Sequence, residues 1–201
     1  MTPGSTSFYR WTKPLVFLVC LIPLFTLVLA TLGVANMHLG ANPVERLLHE
    51  LGRWGLKFLL ISLTITPLRR WTGWNWLLRF RRMLGLFAFF YVVLHFLPYV
   101  ILDQGLDAAA IVEDVLKRPY ITLGMTGLLL LIPLAATSTK AMMRRLGKRW
   151  VKLHRLVYVI AIVAVWHFYW QVKLDTLDAS IYALVLLVLL ASRVYYSRKS
   201  R

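Results

Sequence analysis

All eight acidic residues of the chain fall in three short stretches between long apolar runs. Glu45 and Glu50 lie between the first and second runs, Asp103, Asp107, Glu113 and Asp114 between the third and fourth, and Asp175 and Asp178 between the fifth and sixth. The other connections and both tails hold 18 of the 24 basic residues: Arg10, Lys13; Arg69, Arg70, Arg79, Arg81, Arg82; Lys140, Arg144, Arg145, Lys148, Arg149, Lys152, Arg155; Arg193, Arg198, Lys199 and Arg201. Apolar runs of this length must satisfy their backbone polar groups internally, which makes them helices. Short loops rich in Lys and Arg stay cytoplasmic, so the charge pattern predicts an even number of crossings with both termini inside. The expected fold class is all-α: a polytopic membrane bundle of six transmembrane helices, one domain over residues 1–201, in a bacterial inner membrane.

With 59% hydrophobic residues and a mean hydropathy of +0.66, little is left for a soluble domain. The net charge of +16 sits in juxtamembrane loops, where it meets anionic lipid headgroups, so nucleic acid is not an expected partner. Cys20 is the only cysteine, which excludes an intrachain disulfide framework. The spans read as 14–35, 50–68, 83–102, 119–138, 150–171 and 177–196, each near the ~20 residues needed to cross ~30 Å of hydrocarbon. The first resembles a signal peptide in its flanking Arg10 and Lys13, but its apolar stretch is too long for one, and an uncleaved span is expected. Arg53 and Lys57 interrupt the second, whose outer end is expected to be amphipathic and partly protein-buried. Asn42-Pro43-Val44-Glu45 and Asp107 read as the starts of short surface helices in two outer loops, and Lys140 to Arg149 as a basic amphipathic segment facing headgroups. Trp11, Trp71, Trp74, Trp76, Trp150 and Trp170 sit at span ends, as interfacial belts require. No internal repeat is evident in the sequence.

Ionisable groups inside spans are costly and point to function. His38 and His49 belong to the first outer loop and read as polar surface, whereas His95, His154 and His167 fall within spans. His95 lies ~18 Å along span 3 and His167 ~25 Å along span 5, both counted from the arginine-rich side, which matches their depths. Two imidazoles facing each other at one depth would clamp an iron porphyrin in an apolar pocket. Gly52, Gly55, Gly85, Gly124 and Gly127 would let a flat macrocycle approach the backbone. The plain alternative is that each histidine only hydrogen-bonds a neighbouring helix. Zinc lacks a third ligand at that depth. His154 precedes His167 by ~20 Å along the axis and projects ~140° away on an ideal helix, near Arg81 or Arg82. A propionate clamp, a five-coordinate haem and a flavin phosphate site are all chemically reasonable there. At the outer level the available cations are Arg53, Lys57 and Lys173, of which Arg53, with its planar fork, suits a haem propionate.

The runs LGANPVERLLHELGRWGLKFLL, ITPLRR, RRMLGL, RPYITLG, ATSTKAM and LGKRWVKLHRLVYVIAIVAVWHFYWQVK, with the Leu-His pair ending at His95, resemble the MsrQ (YedZ) family over roughly residues 38–173. That family belongs to the ferric-reductase-like transmembrane superfamily. The resemblance implies a haem b electron carrier of the inner membrane, drawing on the quinone pool or a flavin reductase. It would pass electrons to MsrP, a periplasmic molybdoenzyme that repairs methionine sulfoxide in proteins. It also implies His95, His154 and His167 as haem-associated positions and FMN as a further cofactor. The wider superfamily carries two histidines on each of two helices, and this chain lacks the inner one on span 3. No glycine-rich dinucleotide motif is present, so electrons are expected to come from another molecule. The competing readings are a self-contained ferric reductase and a non-haem membrane anchor or assembly subunit.

Reporter fusions placed after Arg201 and within residues 103–118 should report opposite compartments. Activity of both on one side would overturn the six-span topology.

Overall fold

The computed structural model describes residues 6–34, 38–172 and 176–199, so Lys173 and Asp175 lie outside the described residues. Among the described residues the chain is all-helical: α1 (Thr6–Thr31), α2 (Pro43–Thr72), α3 (Leu78–Pro98), α4 (Ala108–Lys117), α5 (Pro119–Ala136), α6 (Lys140–Leu146), α7 (Lys148–His154), α8 (Leu156–Gln171) and α9 (Leu177–Lys199). The helix ends follow local chemistry. Asn42 caps α2 by accepting from Glu45 N at 3.3 Å, its amide donates to the Glu45 carboxylate at 2.8 Å, and Pro43 occupies the first turn. At the other end Gly73, at φ 75°, closes α2 with its N–H on Arg69 O. Asp107 caps α4 through Ala109 N and Ala110 N. Arg118 is extended, as a residue before proline must be, and separates α4 from α5. The basic segment expected as one amphipathic helix is two, because Gly147 at φ 48° breaks it between α6 and α7.

Among the described residues, five stretches are long and apolar enough to cross a membrane: Ser7–Thr31, Asn75–Asp103, Pro119–Ala136, Lys148–Gln171 and Leu177–Arg198. The short surface helix expected at Asn42 and the expected second span are one continuous helix, α2, whose 30 residues carry both Arg53 and Lys57 and fall outside that apolar class. Its position explains how it tolerates charge. Leu51, Gly55, Leu56, Phe58, Leu59, Leu60, Ser62, Leu63, Ile65, Thr66 and Pro67 are all buried, so protein covers most of α2. Lys57 lies over the Trp54 ring at 4.4 Å.

The most extensive packing is between α2 and α3 and between α5 and α8, with α3 also against α5. These four helices form the core, and α1 and α9 flank it. Small residues allow the close approach. A Cβ at Gly55 would stand 2.9 Å from Val92 Cγ2. An aromatic seam of Phe58, Phe87 and Tyr91, with ring centroids 5.2–5.7 Å apart, fills the α2–α3 interface. Tyr91, fully buried, also reaches into α1. Its hydroxyl accepts from Leu24 N at 3.0 Å and donates to Cys20 O at 2.9 Å. Those two groups would ordinarily bond each other across one helical turn, so the phenol is inserted into the α1 ladder beside Pro23.

Tyr91→Phe keeps the ring and removes both hydrogen bonds. It should destabilise the protein by about 1–2 kcal/mol, read as a lower midpoint of thermal unfolding in detergent. An unchanged midpoint would mean that α1 closes its own ladder at no cost.

Candidate functional site

His95 near the end of α3 and His167 near the end of α8 face each other, with ring centroids 6.2 Å apart and planes inclined at 71°. Each ring is anchored from a neighbouring helix. His95 Nδ1 donates to Leu48 O at 2.8 Å, and His167 Nδ1 donates to Tyr120 O at 2.6 Å. A carbonyl only accepts, so both Nδ1 atoms carry the proton and both Nε2 atoms keep the lone pair. This is the arrangement that orients a metal-ligating imidazole and raises its basicity.

Glycine makes both anchors possible. A Cβ on Gly52 would stand 3.0 Å from His95 Nδ1, and one on Gly124 would stand 2.9 Å from His167 Cε1. The two glycines thus open space for imidazole rings, whereas Gly85, grouped with them from sequence, meets nothing within 4 Å. The carbonyl and the histidine are 47 residues apart in both sets. Leu48, Gly52 and His95 on α2 and α3 therefore correspond to Tyr120, Gly124 and His167 on α5 and α8. The site is a structural repeat that sequence reading missed. Its trace in the sequence is the shared Leu-Gly-x-x-Gly spacing of Leu51, Gly52 and Gly55 against Leu123, Gly124 and Gly127.

The pair suits a haem. His95 and His167, whose ring centroids are 6.2 Å apart and whose Nε2 atoms are left unprotonated, would be the residues that hold its iron. Among the described residues no group of three His, Cys, Asp or Glu side chains gathers, so a bare tetrahedral ion finds no ligand set.

His154 stands apart. Its ring stacks on Trp150 at 3.8 Å between centroids, and Trp150 Nε1 donates to Thr137 O at 2.9 Å. The Thr137 hydroxyl donates to Pro133 O at 2.6 Å, so His154 Nε2 donates to Thr137 Oγ1 at 3.1 Å. His154 is thereby held in the opposite tautomer, with its lone pair on Nδ1. Tight three-residue turns at Arg155 separate α7 from α8, so the ideal-helix angle to His167 does not apply. Arg81 acts on His154 electrostatically, while Arg82 is exposed. His154, at the end of α7, thus has an arginine of α3 rather than a second histidine acting on it.

At the opposite end Arg53 pairs with Glu50 at 2.5 Å and more loosely with Asp178 at 3.9 Å, while its Nε is buried without a partner among the described residues. His49, read from sequence as loop surface, lies inside α2 and receives a hydrogen bond from the Gln171 amide at 2.5 Å. That contact ties the start of α2 to the end of α8 beside the histidine pair.

Residues 51–165 match the family model described as a ferric reductase like transmembrane component. The chain is 50% identical over 190 residues to the protein-methionine-sulfoxide reductase heme-binding subunit MsrQ of Ralstonia nicotianae, covering 93% of this chain and 86% of that protein. The same subunit of Rhodospirillum rubrum is 53% identical over 197 residues, 96% of this chain and 93% of the other. That of Azospira oryzae is 54% identical over 164 residues, 81% and 70%. No solved structure matches the chain.

Gly124→Ala should displace the His167 ring, since the ring is already fixed by Tyr120 O and cannot retreat without losing that bond. The expected result is a clear drop in porphyrin bound per protein, measured by absorbance, with Gly85→Ala behaving as wild type. Equal loading of the two variants would show that the Gly124 contact yields freely.

Proposed function

Because the chain belongs to the ferric-reductase-like transmembrane family, and within it to the MsrQ heme-binding subunits of the protein-methionine-sulfoxide reductase system, we propose that it is a haem b electron-transfer subunit whose haem is held between His95 and His167. The observation that carries this reading is the pair of imidazoles 6.2 Å apart between ring centroids, each with Nδ1–H committed to a main-chain carbonyl and its Nε2 lone pair left free. Haem, when bound, supplies reversible one-electron chemistry. The chain's own residues do the rest. Leu48 O and Tyr120 O fix the tautomers, and Gly52 and Gly124 set the ring positions. Arg53 is the cation suited to a haem propionate, since its fork has an unused donor at Nε and its present partners are one close and one distant carboxylate.

The charge segregation supports an inner-membrane subunit with both termini cytoplasmic and α2 as a sixth, protein-covered crossing. Electrons then enter at the arginine-rich end, from the quinone pool or a flavin reductase, and leave at the acidic end to the periplasmic molybdoenzyme MsrP. FMN is the further cofactor the family resemblance implies, and His154 with Arg81 is the polar group nearest the entry side. The paired anchored imidazoles favour haem over the non-haem anchor, and the match to the heme-binding subunits favours an electron-transfer subunit over a self-contained ferric reductase.

Visible spectra of purified variants test the assignment. His95→Ala and His167→Ala should each abolish the b-type bands of this haem, because both imidazoles would be needed to hold it. His154→Ala, which removes a ring already committed through Nε2 to Thr137, should leave those bands and slow reduction from the donor side. Loss of all haem in His154→Ala with retention in His167→Ala would overturn the pairing.

A further inference from the structure

The bonds that anchor the two histidines each stay within one half of the repeat. His95 of α3 is tied to α2, and His167 of α8 is tied to α5. Neither bond fixes how far one half stands from the other. Yet that separation decides whether two imidazoles can serve one group between them, so whatever crosses between the halves must set it.

Two crossings lie just beyond the histidines, and they are built alike. One helical turn past His167, the Gln171 amide donates to His49 Nε2 of α2 at 2.5 Å. His49 is next in sequence to Leu48, whose carbonyl holds His95. One turn past His95 stands Tyr99, whose hydroxyl donates to Asp114 Oδ2 at 3.4 Å, and Gln104 donates to the same oxygen at 3.0 Å. Asp114 belongs to α4, which Arg118 alone joins to α5, and the other Asp114 oxygen takes Arg118 Nε at 3.1 Å. Across Pro119 from Arg118 comes Tyr120, whose carbonyl holds His167. Each histidine helix thus reaches, one turn beyond its own ring, to the root of the carbonyl that anchors the opposite ring. The result is a closed circuit through both imidazoles. Among the described residues, Gln171–His49 is the one side-chain hydrogen bond between the α2–α3 pair and the α5–α8 pair. Both crossings are shielded, with His49 and Gln171 half-buried and the Asp114 side chain only 14% exposed. Removing an acceptor there strands donors that water reaches poorly.

We propose that His49 and Asp114 are positioning residues, two matched struts that set the gap between the His95 and His167 imidazoles. The consequence for haem rests on the function proposed above, whereas the gap itself can be measured without it.

The test uses the full chain in detergent, with nitroxide labels on Leu97→Cys of α3 and Tyr169→Cys of α8 in a Cys20→Ser background. Both labelled positions are exposed and lie just past the two histidines. Dipolar distances are recorded with any haem reduced, and release of porphyrin to excess apomyoglobin is timed in parallel. The unaltered struts should give one narrow distance. His49→Leu and Asp114→Leu should each broaden or shift it and speed porphyrin release about tenfold. His49→Gln, which again offers Gln171 an acceptor, should restore both readings. Glu113→Gln, which removes an exposed charge beside Asp114, should change neither. Should a leucine variant fail to accumulate, Gln171→Leu or Gln104→Leu removes the donor instead and carries the same expectation. Distances that stay as in the parent in all of these variants overturn the proposal, whatever the haem content. Distances that respond in a protein without b-type bands leave the struts standing and remove the haem reading alone.

Discussion

The hydrogen bond from an imidazole Nδ1 to a main-chain carbonyl of the adjacent helix is the constraint on which the site depends. It occurs twice, at His95 with Leu48 and at His167 with Tyr120, and each time a glycine one turn along from the carbonyl gives the ring its room. The bond needs a carbonyl that is within reach, so it fixes how closely α2 packs on α3 and α5 on α8. Those are the two most extensive interfaces of the bundle. Helix spacing, ring tautomer and the direction of the free lone pair are consequently one decision rather than three.

The same requirement explains α2. A helix that must lend a carbonyl and a glycine face to α3 is pulled inside the bundle, and once inside it can carry Arg53, Glu50 and His49 in its N-terminal part, where protein groups pair with them. The charges in turn find partners in Asp178 and Gln171, which belong to α9 and to the end of α8. The least apolar long helix is in this way the most thoroughly packed.

Much of the fold was legible because span length, charge sign and helix rise are properties that sequence carries directly. Long apolar runs marked the helices, Asn42 and Asp107 marked two starts, and counting residues from the arginine-rich ends put His95 and His167 at one depth. The anchoring partners were not legible, since Leu48 and Tyr120 contribute main-chain oxygens and their side chains say nothing about it. Only the repeated Leu-Gly-x-x-Gly spacing hinted at the duplication, and it is too short to stand out among apolar residues. The inner histidine was harder still. Its direction depends on the break at Gly147 and the turn at Arg155, where an ideal helix is the wrong ruler. Arg193, which bonds Thr66 of α2, was read as one more cytoplasmic charge because its face of α9 is defined by packing that periodicity in a uniformly apolar helix does not reveal.

The tyrosine inserted into α1 bears on how the protein is made. Its hydroxyl bridges Cys20 and Leu24, yet Tyr91 follows Cys20 by 71 residues. When α1 emerges during synthesis, the residue that completes its ladder does not yet exist. Most of its length remains lipid-facing even in the finished bundle, with Leu15, Leu18, Ile22 and Phe25 exposed on its surface. The first helix therefore has to form with its own backbone bonds closed, and its Tyr91 bridge can be added only after α3 has been made. Formation and bridging of this helix are separate events, ordered by the chain itself.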